Sequence, residues 1–389
     1  MQAVILAGGK GTHLRPLTSV APKPMVKLFD KPVLEHTIEL LKRHGITDII
    51  ITLASEAEQV IDYFGGGSRW GVNIQYSLED IPKGTAGGLR RIQPLLHNTF
   101  LVISGDAVTD FDLTSAVAFH RQSSAIATIL LYEAEDPSQF GIVRTDSSGK
   151  VSHFRERPKP SEAFSNLINT GIYVLEPEVI SCVPYDAVYD FSRDVVPRLL
   201  QNQEPFYAFR ADGYWCDIEN LAQYRNVHFD ALLGKVKLNL TARRLMDGIW
   251  VGSDADIHPT ARLVAPVYVG NGATLRRQCT LGRFAVLGDM SVVDDEAQVT
   301  HSILDARSCI GKRTEIYGSI IGSGFQVPNN GRLVDEVVVN DGSHAGLRAE
   351  ISSELLMPKA LETAVFTWSG LEAAGVIERA SLRRQPLAA

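Results

Sequence analysis

The sequence has few cysteines, and none of them form a closely spaced pair. Its four cysteines, Cys182, Cys216, Cys279 and Cys309, lie far apart among 389 residues, without any Cys-x-x-Cys pair. Zinc ribbons and disulfide-stapled secreted domains need such pairs or a denser set of cysteines, so the sequence argues against both classes. A reducing compartment suits this pattern, and we therefore expect a cytoplasmic protein.

The sequence also lacks a long apolar run and an excess of positive charge. No stretch reaches the roughly 18 consecutive apolar residues that a membrane helix needs. The apolar N-terminus has no basic flank and is interrupted by Gly8 and Gly9, so it predicts a first strand and not a signal peptide. The formal net charge is −7, so we expect neither membrane nor nucleic acid as a partner.

Strand-like and helix-like runs alternate through residues 1–235. Buried strands are predicted at residues 3–7, 49–53, 100–104 and 125–131, and amphipathic helices at residues 33–43 and 57–64. Short apolar strands that alternate with amphipathic helices are typical of a mostly parallel sheet covered on both faces. We therefore predict an α/β domain of Rossmann-like architecture with a mixed, mostly parallel sheet.

A six-residue repeat replaces this alternation after about residue 250. Aliphatic residues occupy eight consecutive positions six apart, at Ile257, Leu263, Val269, Leu275, Leu281, Leu287, Val293 and Val299. This period cannot be helical, but it suits a parallel β-helix whose coils stack aliphatic side chains inward. Glycines directly after aliphatic residues, such as Gly270 and Gly288, are assigned to corners that need backbone freedom. The repeat slips after Val299 and resumes near Ile310, which predicts a loop or an irregular coil there.

The same pattern divides the chain into four parts. We predict an α/β domain at residues 1–235, a connector at 236–250, a β-helix domain at 251–344 and a C-terminal tail at 345–389.

A glycine-rich loop, LAGGKGT at residues 6–12, follows the first strand. It is neither a Walker A loop nor a complete G-x-G-x-x-G motif. Clustered glycines let several backbone N–H groups converge on an anion, and Lys10, Arg15 and Lys23 add positive charge nearby. A tight exit from the strand explains the glycines equally well, so the loop alone leaves both explanations open.

One long run of the sequence, LAGGKGTHLRPLTSVAPKPM, resembles the signature G-x-G-T-R-L-x-P-L-T followed by P-K of the sugar-1-phosphate nucleotidylyltransferases. Five further segments resemble family motifs in the family's order: KGTAGGL at 83–89, SGDAVTD at 104–110, FRERP at 154–158, NTGIY at 169–173 and GYWCDI at 213–218. A hexapeptide domain after the catalytic domain is similar to the mannose-1-phosphate guanylyltransferase branch. The resemblance covers nearly residues 1–325 and implies a nucleotidyltransferase domain followed by a left-handed hexapeptide β-helix.

The resemblance implies a reaction in which a sugar 1-phosphate attacks the α-phosphorus of a nucleoside triphosphate and pyrophosphate leaves. Positioning and charge neutralisation then carry the catalysis. GTP and mannose 1-phosphate are the expected substrates, and self-association through the β-helix is expected as well.

The resemblance also assigns roles to individual residues. It implies Lys23, Asp106, Asp217, Arg15 and His13 as catalytic residues; Leu6, Gly8, Gly9, Gly11, Thr12, Gly84 and Thr85 as nucleotide-binding residues; and Gly105, Glu156, Arg157, Asn169 and Gly171 as sugar-binding residues. Asp106 and Asp217 would hold Mg²⁺, which prefers carboxylate and phosphate oxygens. Helix capping is the structural alternative for both aspartates.

Two positions depart from the family pattern. Arg157 stands where the pattern has lysine and keeps the charge, whereas His13 stands where the pattern has arginine. Arginine is always charged and presents a fork of donors, but histidine titrates near neutral pH and offers fewer. His13 could be protonated beside the triphosphate, or Arg15 could replace it, since residues two apart on an extended segment share a side. A third interpretation is a sensor subunit that binds nucleotide sugar without making it; the other intact motifs favour an active enzyme.

Two further alternatives concern the substrate and a second activity. UTP with glucose 1-phosphate, or an unusual sugar or cyclitol phosphate, stays open because base choice depends on backbone contacts that the sequence does not show. An acyltransferase activity of the β-helix would need a loop histidine, for which His301 and His344 are the candidates. We disfavour it, because a lone histidine is usually structural and the β-helix is short.

Overall fold

The chain divides into two units in the computed structural model, which describes residues 1–54, 57–342, 346–351 and 365–373. The first unit comprises Met1–Lys10, Lys23–Met25 and Val33–Asp217. The second comprises Gly11–Pro22, Val26–Pro32 and the described part of Ile218–Ala389. None of the helices within these described ranges is long and apolar enough to cross a bilayer.

The elements up to residue 217 are mostly short strands and helices. The helices are α1 (Val33–Arg43), α2 (Ala57–Phe64), α3 (Gly84–Ile92), α4 (Leu113–Gln122), α5 (Glu178–Ser181) and α6 (Val196–Gln201), with a π-helical turn at Phe191–Val195 and short 3₁₀ turns at Thr12–Leu14, Leu17–Ser19, Lys23–Met25, Ser68–Trp70, Gln93–Leu95 and Pro160–Glu162. The strands are β1 (Gln2–Leu6), β2 (Lys27–Leu28), β3 (Lys31–Pro32), β4 (Asp48–Leu53), β5 (Asn73–Leu78), β6 (Phe100–Ser104), β7 (Ala107–Thr109), β8 (Ala127–Glu133), β9 (Gly141–Thr145), β10 (Val151–Glu156), β11 (Leu167–Leu175), β12 (Phe206–Arg210) and β13 (Trp215–Asp217).

A nine-stranded mixed sheet forms the centre of the first unit. Its order is β10-β9-β11-β6-β1-β4-β5, and β8 joins β11 to β12. The central strands β6, β1, β4 and β5 are parallel, while β11 runs antiparallel to β6 and β8. Neighbouring residues of β1 belong to different cores, Ile5 to one and Val4 to the other, and both side chains are fully buried. A strand covered on both faces needs a continuous apolar run, so the predicted α/β class is confirmed.

The predicted elements of this unit agree closely with the observed ones. Helix α1 spans the predicted residues 33–43 and α2 the predicted residues 57–64. The strand predicted at 125–131 begins two residues later, at Ala127, and ends at Glu133. Ser123, Ser124 and Ala125 close the end of α4 with backbone bonds to residues 119–121, which delays the strand.

The second unit is built mainly from short parallel strands in three sheets. The strands are β14 (Arg243–Met246), β15 (Ile249–Val251), β16 (Asp256–Ile257), β17 (Arg262–Val264), β18 (Val267–Val269), β19 (Thr274–Leu275), β20 (Thr280–Leu281), β21 (Ala285–Leu287), β22 (Val292–Val293), β23 (Gln298–Thr300), β24 (Ile303–Leu304), β25 (Cys309–Ile310), β26 (Glu315–Tyr317), β27 (Ile320–Ile321), β28 (Gln326–Val327), β29 (Arg332–Val334), β30 (Glu336–Val339), β31 (Leu347–Glu350) and β32 (Val365–Thr367), with helices α7 (Leu221–Leu232) and α8 (Trp368–Ala373). All eight repeat aliphatics are buried, none more than 7% exposed. The predicted hexapeptide β-helix is confirmed.

The slip in the repeat after Val299 is not a loop but a change in the length of the coil, which is the second of the two predicted alternatives. Val267 pairs with Ala285, whereas Ile303 pairs with Ile320, so the coils shorten from 18 to 17 residues. One corner loses a residue, and the next aliphatic residue in the core of the β-helix, Leu304, follows Val299 after five positions instead of six. Later coils keep the shorter length, because Ile320 pairs with Val337 in the same sheet. The β-helix therefore continues without interruption.

The glycines after the aliphatic residues serve close packing and not a left-handed backbone. A Cβ atom on Gly270 would lie 2.6 Å from the backbone nitrogen of Asp289 in the next coil. The left-handed corner positions carry other residues, such as Gln278 (φ 56°) and Met290 (φ 59°). The predicted reason for these glycines is therefore corrected: the next coil approaches too closely for any side chain.

Several elements border the repeat in the second unit. Strand β14 lies within the predicted connector and pairs antiparallel with β15. In the described part of the tail, β31 pairs with β30 and β32 with β17. Helix α7 contacts the coils through Arg225, whose guanidinium donates to the Gly318 carbonyl at 2.5 Å. The domain boundaries stay a prediction.

A buried carboxyl group fastens the β2–β3 hairpin to the coils of the β-helix. The carboxylate of Asp30 accepts hydrogen bonds from the hydroxyls of Thr241 (2.6 Å) and Tyr268. Burial and the neighbouring charge of Asp289 raise the pKa of Asp30 from 3.8 to about 7, against smaller opposing effects of Thr241 and Lys27. Between about pH 4 and pH 7, the folded state therefore keeps Asp30 protonated, whereas the unfolded chain has lost that proton.

Stability is therefore expected to fall as the pH rises from about 4 to about 7, and Asp30→Asn should remove this component. An asparagine oxygen can still accept from Thr241 and Tyr268, and its amide can donate to Asp289 at any pH. Between pH 5 and pH 8, the melting temperature of Asp30→Asn should fall about 2–4 °C less than that of wild type, as followed by circular dichroism. The exposed Asp247→Asn is the matched control. Parallel pH profiles for wild type and Asp30→Asn would contradict this account.

Candidate functional site

A cavity of about 360 Å³ opens in the first unit at the carboxyl ends of the parallel strands β1 and β6. Loops at the carboxyl ends of such strands are the usual binding place in open α/β sheets. The lining residues are Leu6, Gly8, Gly9, Thr52, Glu79, Pro82, Gly84, Thr85, Ser104, Asp106, Asn169, Gly171, Tyr173, Asp190, Phe191 and Ser192. Eight predicted site residues are among them, from four different motifs.

The first part of the glycine loop lines the cavity beside a carboxylate. A Cβ atom on Gly9 would lie 3.9 Å from Asp106 Oδ2, so the absence of a side chain leaves room there for a ligand. Gly105 has a different role, because its N–H donates to the Leu6 carbonyl at 2.8 Å. A Cβ atom on Gly105 would lie 3.1 Å from the Ala7 side chain. The geometry therefore gives Gly105 a part in packing the two strands, and its predicted sugar contact stays a prediction.

Asp106 and Asp217 are brought together by a small two-stranded sheet. Asp106 directly precedes β7, and β13 pairs with β7 so that Asp217 lies opposite Ala107. Helix capping is wrong as an explanation for either residue, because Asp106 leads into a strand and Asn220 caps α7. Asp106 therefore lies at the start of β7, beside Gly9 of the glycine loop, and Asp217 lies on the paired strand β13.

Lys23 supplies a positive charge beside Asp106. Its ammonium forms an ion pair with Asp106 Oδ2, and the Ser104 hydroxyl donates to Asp106 Oδ1. Both charged side chains are mostly buried, at 11% exposure for Lys23 and 19% for Asp106. A phosphate that enters here meets a positive charge already held in place.

The oxygen atoms of Asp106, Asp217 and Ser104 are ligands that suit magnesium. One carboxylate directly before β7 and one on the paired strand β13, with the Ser104 hydroxyl beside the first, supply only oxygen ligands. No cluster of three or more metal-ligating side chains occurs in the part of the chain that the structure describes. Mg²⁺ is usually held by one or two carboxylates and completes its shell with water and substrate phosphates. Asp106 and Asp217 therefore fit this ion.

The first turn of α3 forms the second wall of the cavity. Gly84 has a left-handed φ of 77°, and a Cβ atom there would lie 2.5 Å from the Tyr189 carbonyl oxygen, so only glycine fits. The hydroxyl of Thr85 donates to Asp190 Oδ2 at 2.7 Å and accepts from the Phe191 N–H at 2.9 Å. Thr85 therefore lines the cavity with a hydroxyl that is already engaged within the protein.

Strand β11 forms the third wall. The amide of Asn169 donates to the Tyr173 hydroxyl at 2.7 Å and to the Ser192 hydroxyl at 3.1 Å, and its oxygen accepts from the Gly171 N–H. Gly171 has a φ of 74°, and no atom lies within 4 Å of where its Cβ would be. Gly171 thus keeps this wall open, while the amide of Asn169 is held by the protein.

Glu156 and Arg157 do not line the cavity, although Glu156 lies near it. Glu156 Oε2 is buried without a hydrogen-bond partner, and the Arg157 guanidinium lies 3.9 Å from Oε1. Burial raises the pKa of Glu156, Arg157 lowers it, and the charge of Asp190 raises it further. Its unsatisfied oxygen would gain from a hydroxyl donor, which agrees with the sugar contact that the motif implies.

Several lining residues lie outside the predicted set. Glu79 accepts from the Lys83 N–H at 3.0 Å and so shapes the turn before α3. Asp190 caps the turn Phe191–Val195 by accepting from the N–H groups of Ser192 and Arg193. An aspartate before a helical segment was the only signal for Asp190, and it predicts a cap and not a place in a cavity.

Gly11, Thr12, His13 and Arg15 belong to the second unit. Thr12–Leu14 is a 3₁₀ turn that follows Gly11, whose φ is 59°, and the side chains of His13 and Arg15 are exposed. The expectation of an extended segment is therefore wrong. In a 3₁₀ turn with three residues per turn, positions two apart point to different sides, so the geometric reason for Arg15 to replace His13 is lost.

The histidines nominated for acyl transfer do not support that activity. His301 lies among the rings of Phe229, Phe284 and Tyr317, at a corner of the coils and not on an inserted loop. Burial lowers the pKa of His301 to about 4, with Arg283 and Arg225 contributing. His344 lies outside the described residues.

Comparisons with known proteins agree with this arrangement. The family described as nucleotidyl transferase matches residues 2–232. A crystal structure described as a candidate glucose-1-phosphate thymidylyltransferase from Bacillus anthracis, in complex with sucrose, is similar with a TM-score of 0.56 and 25% identity. The similarity covers 62% of this chain and 98% of that one.

The relatives that align over almost their full length are named as two kinds of enzyme, a uridylyltransferase and guanyltransferases. The UTP–glucose-1-phosphate uridylyltransferase of Synechocystis sp. is 34% identical over 386 residues, which cover 93% of this chain and 100% of the relative. The mannose-1-phosphate guanyltransferase of Schizosaccharomyces pombe is 31% identical over 357 residues, covering 88% and 93%. The enzyme of the same name from Debaryomyces hansenii is 30% identical, covering 92% and 100%.

Proposed function

This chain belongs to the sugar-1-phosphate nucleotidylyltransferase family, and from that premise we propose that it transfers the guanylyl group of GTP to mannose 1-phosphate. The products would be GDP-mannose and pyrophosphate. One observation carries the reaction class: a single cavity joins the glycine loop and Asp106 to the wall formed by Asn169 and Gly171. Such a cavity can hold a triphosphate and a sugar phosphate side by side. The choice of guanine and mannose is supported by the names of several relatives.

The chemistry needs charge neutralisation more than proton transfer. The attacking group is a phosphate oxygen that is already ionised near neutral pH, and the leaving group is pyrophosphate, so no general base is required. Among the described residues that line the cavity there is neither histidine nor cysteine. Gly8 and Gly9 leave space for the phosphates, and Lys23 places a positive charge beside them. The remaining walls orient the base and the sugar so that attack is in line.

We propose Mg²⁺ as the cofactor, held by Asp106 and Asp217. When bound, the ion would neutralise charge on the phosphates and help to orient them. Lys23 shares the neutralisation from the side of Asp106 Oδ2, and the Ser104 hydroxyl orients that carboxylate.

UTP with glucose 1-phosphate is the second candidate pair. The observation in its favour is the 34% identity to the Synechocystis uridylyltransferase, over almost the whole of both chains. The reaction, the residues and the proposed ion would be the same, and only the base and the sugar would differ.

Pyrophosphate release tests the substrates directly. The four nucleoside triphosphates are each combined with mannose 1-phosphate, glucose 1-phosphate and other sugar 1-phosphates, with Mg²⁺ present. We expect the highest kcat/KM with GTP and mannose 1-phosphate. A preference for UTP and glucose 1-phosphate would select the second candidate, and no release with any pair would contradict the proposed activity.

We further propose that the protein is a cytoplasmic homo-oligomer assembled through its β-helix. Stacked coils leave ends and flat faces that self-association can cover. Light scattering coupled to size exclusion, at micromolar concentration, should give a mass that is a multiple of 42.6 kDa. A monomeric mass across that concentration range would refute the proposal.

A further inference from the structure

Two segments that flank the cavity, residues 83–87 and 189–192, are joined by backbone hydrogen bonds of Tyr189 and by the side chain of Asp190. The carboxylate of Asp190 accepts from the Thr85 hydroxyl through Oδ2 at 2.7 Å, which links it to the first turn of α3. Its other oxygen, Oδ1, accepts from the N–H groups of Ser192 (2.9 Å) and Arg193 (3.2 Å). The two oxygens thus do separate tasks: one ties the segment to α3, and the other caps the turn Phe191–Val195.

The same turn continues to the sugar side of the cavity. The Ser192 hydroxyl accepts from Asn169, which also donates to the Tyr173 hydroxyl. The Tyr173 ring stacks on Phe191, with 4.6 Å between ring centroids and 19° between ring planes. A continuous set of contacts therefore runs from Thr85 on α3, through residues 190–192, to Asn169 on β11.

We propose that Asp190 is a positioning residue that sets the relative places of the nucleotide wall and the sugar wall. The inference rests on the proposed function, because it assigns Thr85 and Gly84 to the nucleotide and Asn169 and Gly171 to the sugar. Asp190 lines the cavity, but both of its oxygens are engaged with the protein. Its effect on the reaction therefore passes through Thr85 and Ser192.

The separation of tasks between the two oxygens allows a sharp test. In Asp190→Asn, the remaining oxygen can still cap Ser192 and Arg193, but the amide nitrogen cannot accept from the Thr85 hydroxyl. Thr85→Val removes the same link from the other end, together with the acceptor of the Phe191 N–H, whereas Thr85→Ser keeps both. If the link matters, the asparagine variant should be impaired and the valine variant at least as much, and the serine variant should behave like wild type.

Steady-state kinetics of the full-length protein should show the effect in both substrates. We expect Asp190→Asn and Thr85→Val each to lower kcat/KM by about 10-fold to 100-fold, because small misplacements of bound substrates cost that much. The KM values of the nucleotide and of the sugar phosphate should rise together. The double variant should be no worse than the worse single variant, since both changes break one link.

Two controls separate positioning from folding. Lys83 and Asp186 form another link between the same two segments, at 3.1 Å on the exposed side, and Asp186→Ala should leave the kinetics within about twofold of wild type. Melting temperatures of all variants should stay within about 4 °C of wild type. Wild-type kinetics for Asp190→Asn, or additive effects in the double variant, would overturn the inference. Failure of wild type to release pyrophosphate would instead contradict the proposed function.

Discussion

Asp106→Asn and Asp217→Asn are each expected to lower magnesium-dependent turnover by about 100-fold or more, while the fold is retained. Asparagine keeps the size of the side chain but removes the negative charge that would hold the ion. Asp106 directly precedes β7, and Asp217 lies opposite Ala107 on the paired strand β13, so we expect both carboxylates to hold one cation. The measurement is pyrophosphate release as a function of MgCl₂ concentration, with circular dichroism as the check on folding.

Asp212→Asn is the matched control, because this exposed carboxylate precedes Asp217 by five residues and lies outside the cavity. It should behave like wild type at every magnesium concentration. Full activity in either the Asp106 or the Asp217 variant, with an unchanged magnesium requirement, would contradict the metal assignment.

His13→Arg is expected to raise kcat by about threefold or more at pH 8 and to change it little at pH 6. Arginine is charged throughout this pH range and presents a fork of donors to a phosphate, whereas histidine offers fewer donors. The expectation follows if a protonated His13 takes the place of the arginine in the family pattern. A pH–rate profile of wild type and His13→Arg measures the effect.

His13→Ala and Arg15→Ala complete this test. The 3₁₀ turn Thr12–Leu14 separates the directions of the two side chains, so Arg15 is not expected to compensate for the loss of His13. His13→Ala should therefore lower kcat at pH 6. A silent His13→Ala together with a severe Arg15→Ala would assign the phosphate clamp to Arg15. Superimposable profiles of wild type and His13→Arg would mean that the charge of residue 13 has no part in the reaction.

Much of the fold follows from periodicity that the sequence displays openly. Helix α1 spans the predicted residues because its apolar side chains recur at helical spacing, and eight aliphatics in register predict the β-helix. The slip after Val299 left both a loop and an irregular coil open as predictions, because a one-residue deletion at a corner and an insertion both break the period. The predicted role of glycines such as Gly270, backbone freedom at a corner, was wrong. The sequence shows that a side chain is absent, but it does not show that the next coil approaches to within 2.6 Å of where a Cβ would be.

The cavity-lining residues that lie within sequence motifs could be predicted. Those whose position depends on hydrogen bonds between distant side chains could not. Gly9, Asp106 and Gly171 line the cavity as their motifs imply. Asp190 was missed, because its place in the cavity results from long-range contacts with Thr85, more than a hundred residues away in the sequence. The Thr85 hydroxyl is occupied by this hydrogen bond to Asp190, and the sequence motif does not show that.

Phosphorus-31 NMR of one reaction mixture tests the central claim most directly, namely that a sugar 1-phosphate attacks the α-phosphorus of a nucleoside triphosphate in this cavity. With wild type, magnesium and the best substrate pair, pyrophosphate and nucleotide sugar should appear in equal amounts as the sugar 1-phosphate disappears. Asp106→Asn should give neither product at a comparable rate. Release of pyrophosphate without a nucleotide sugar, or equal product formation by Asp106→Asn, would contradict the account.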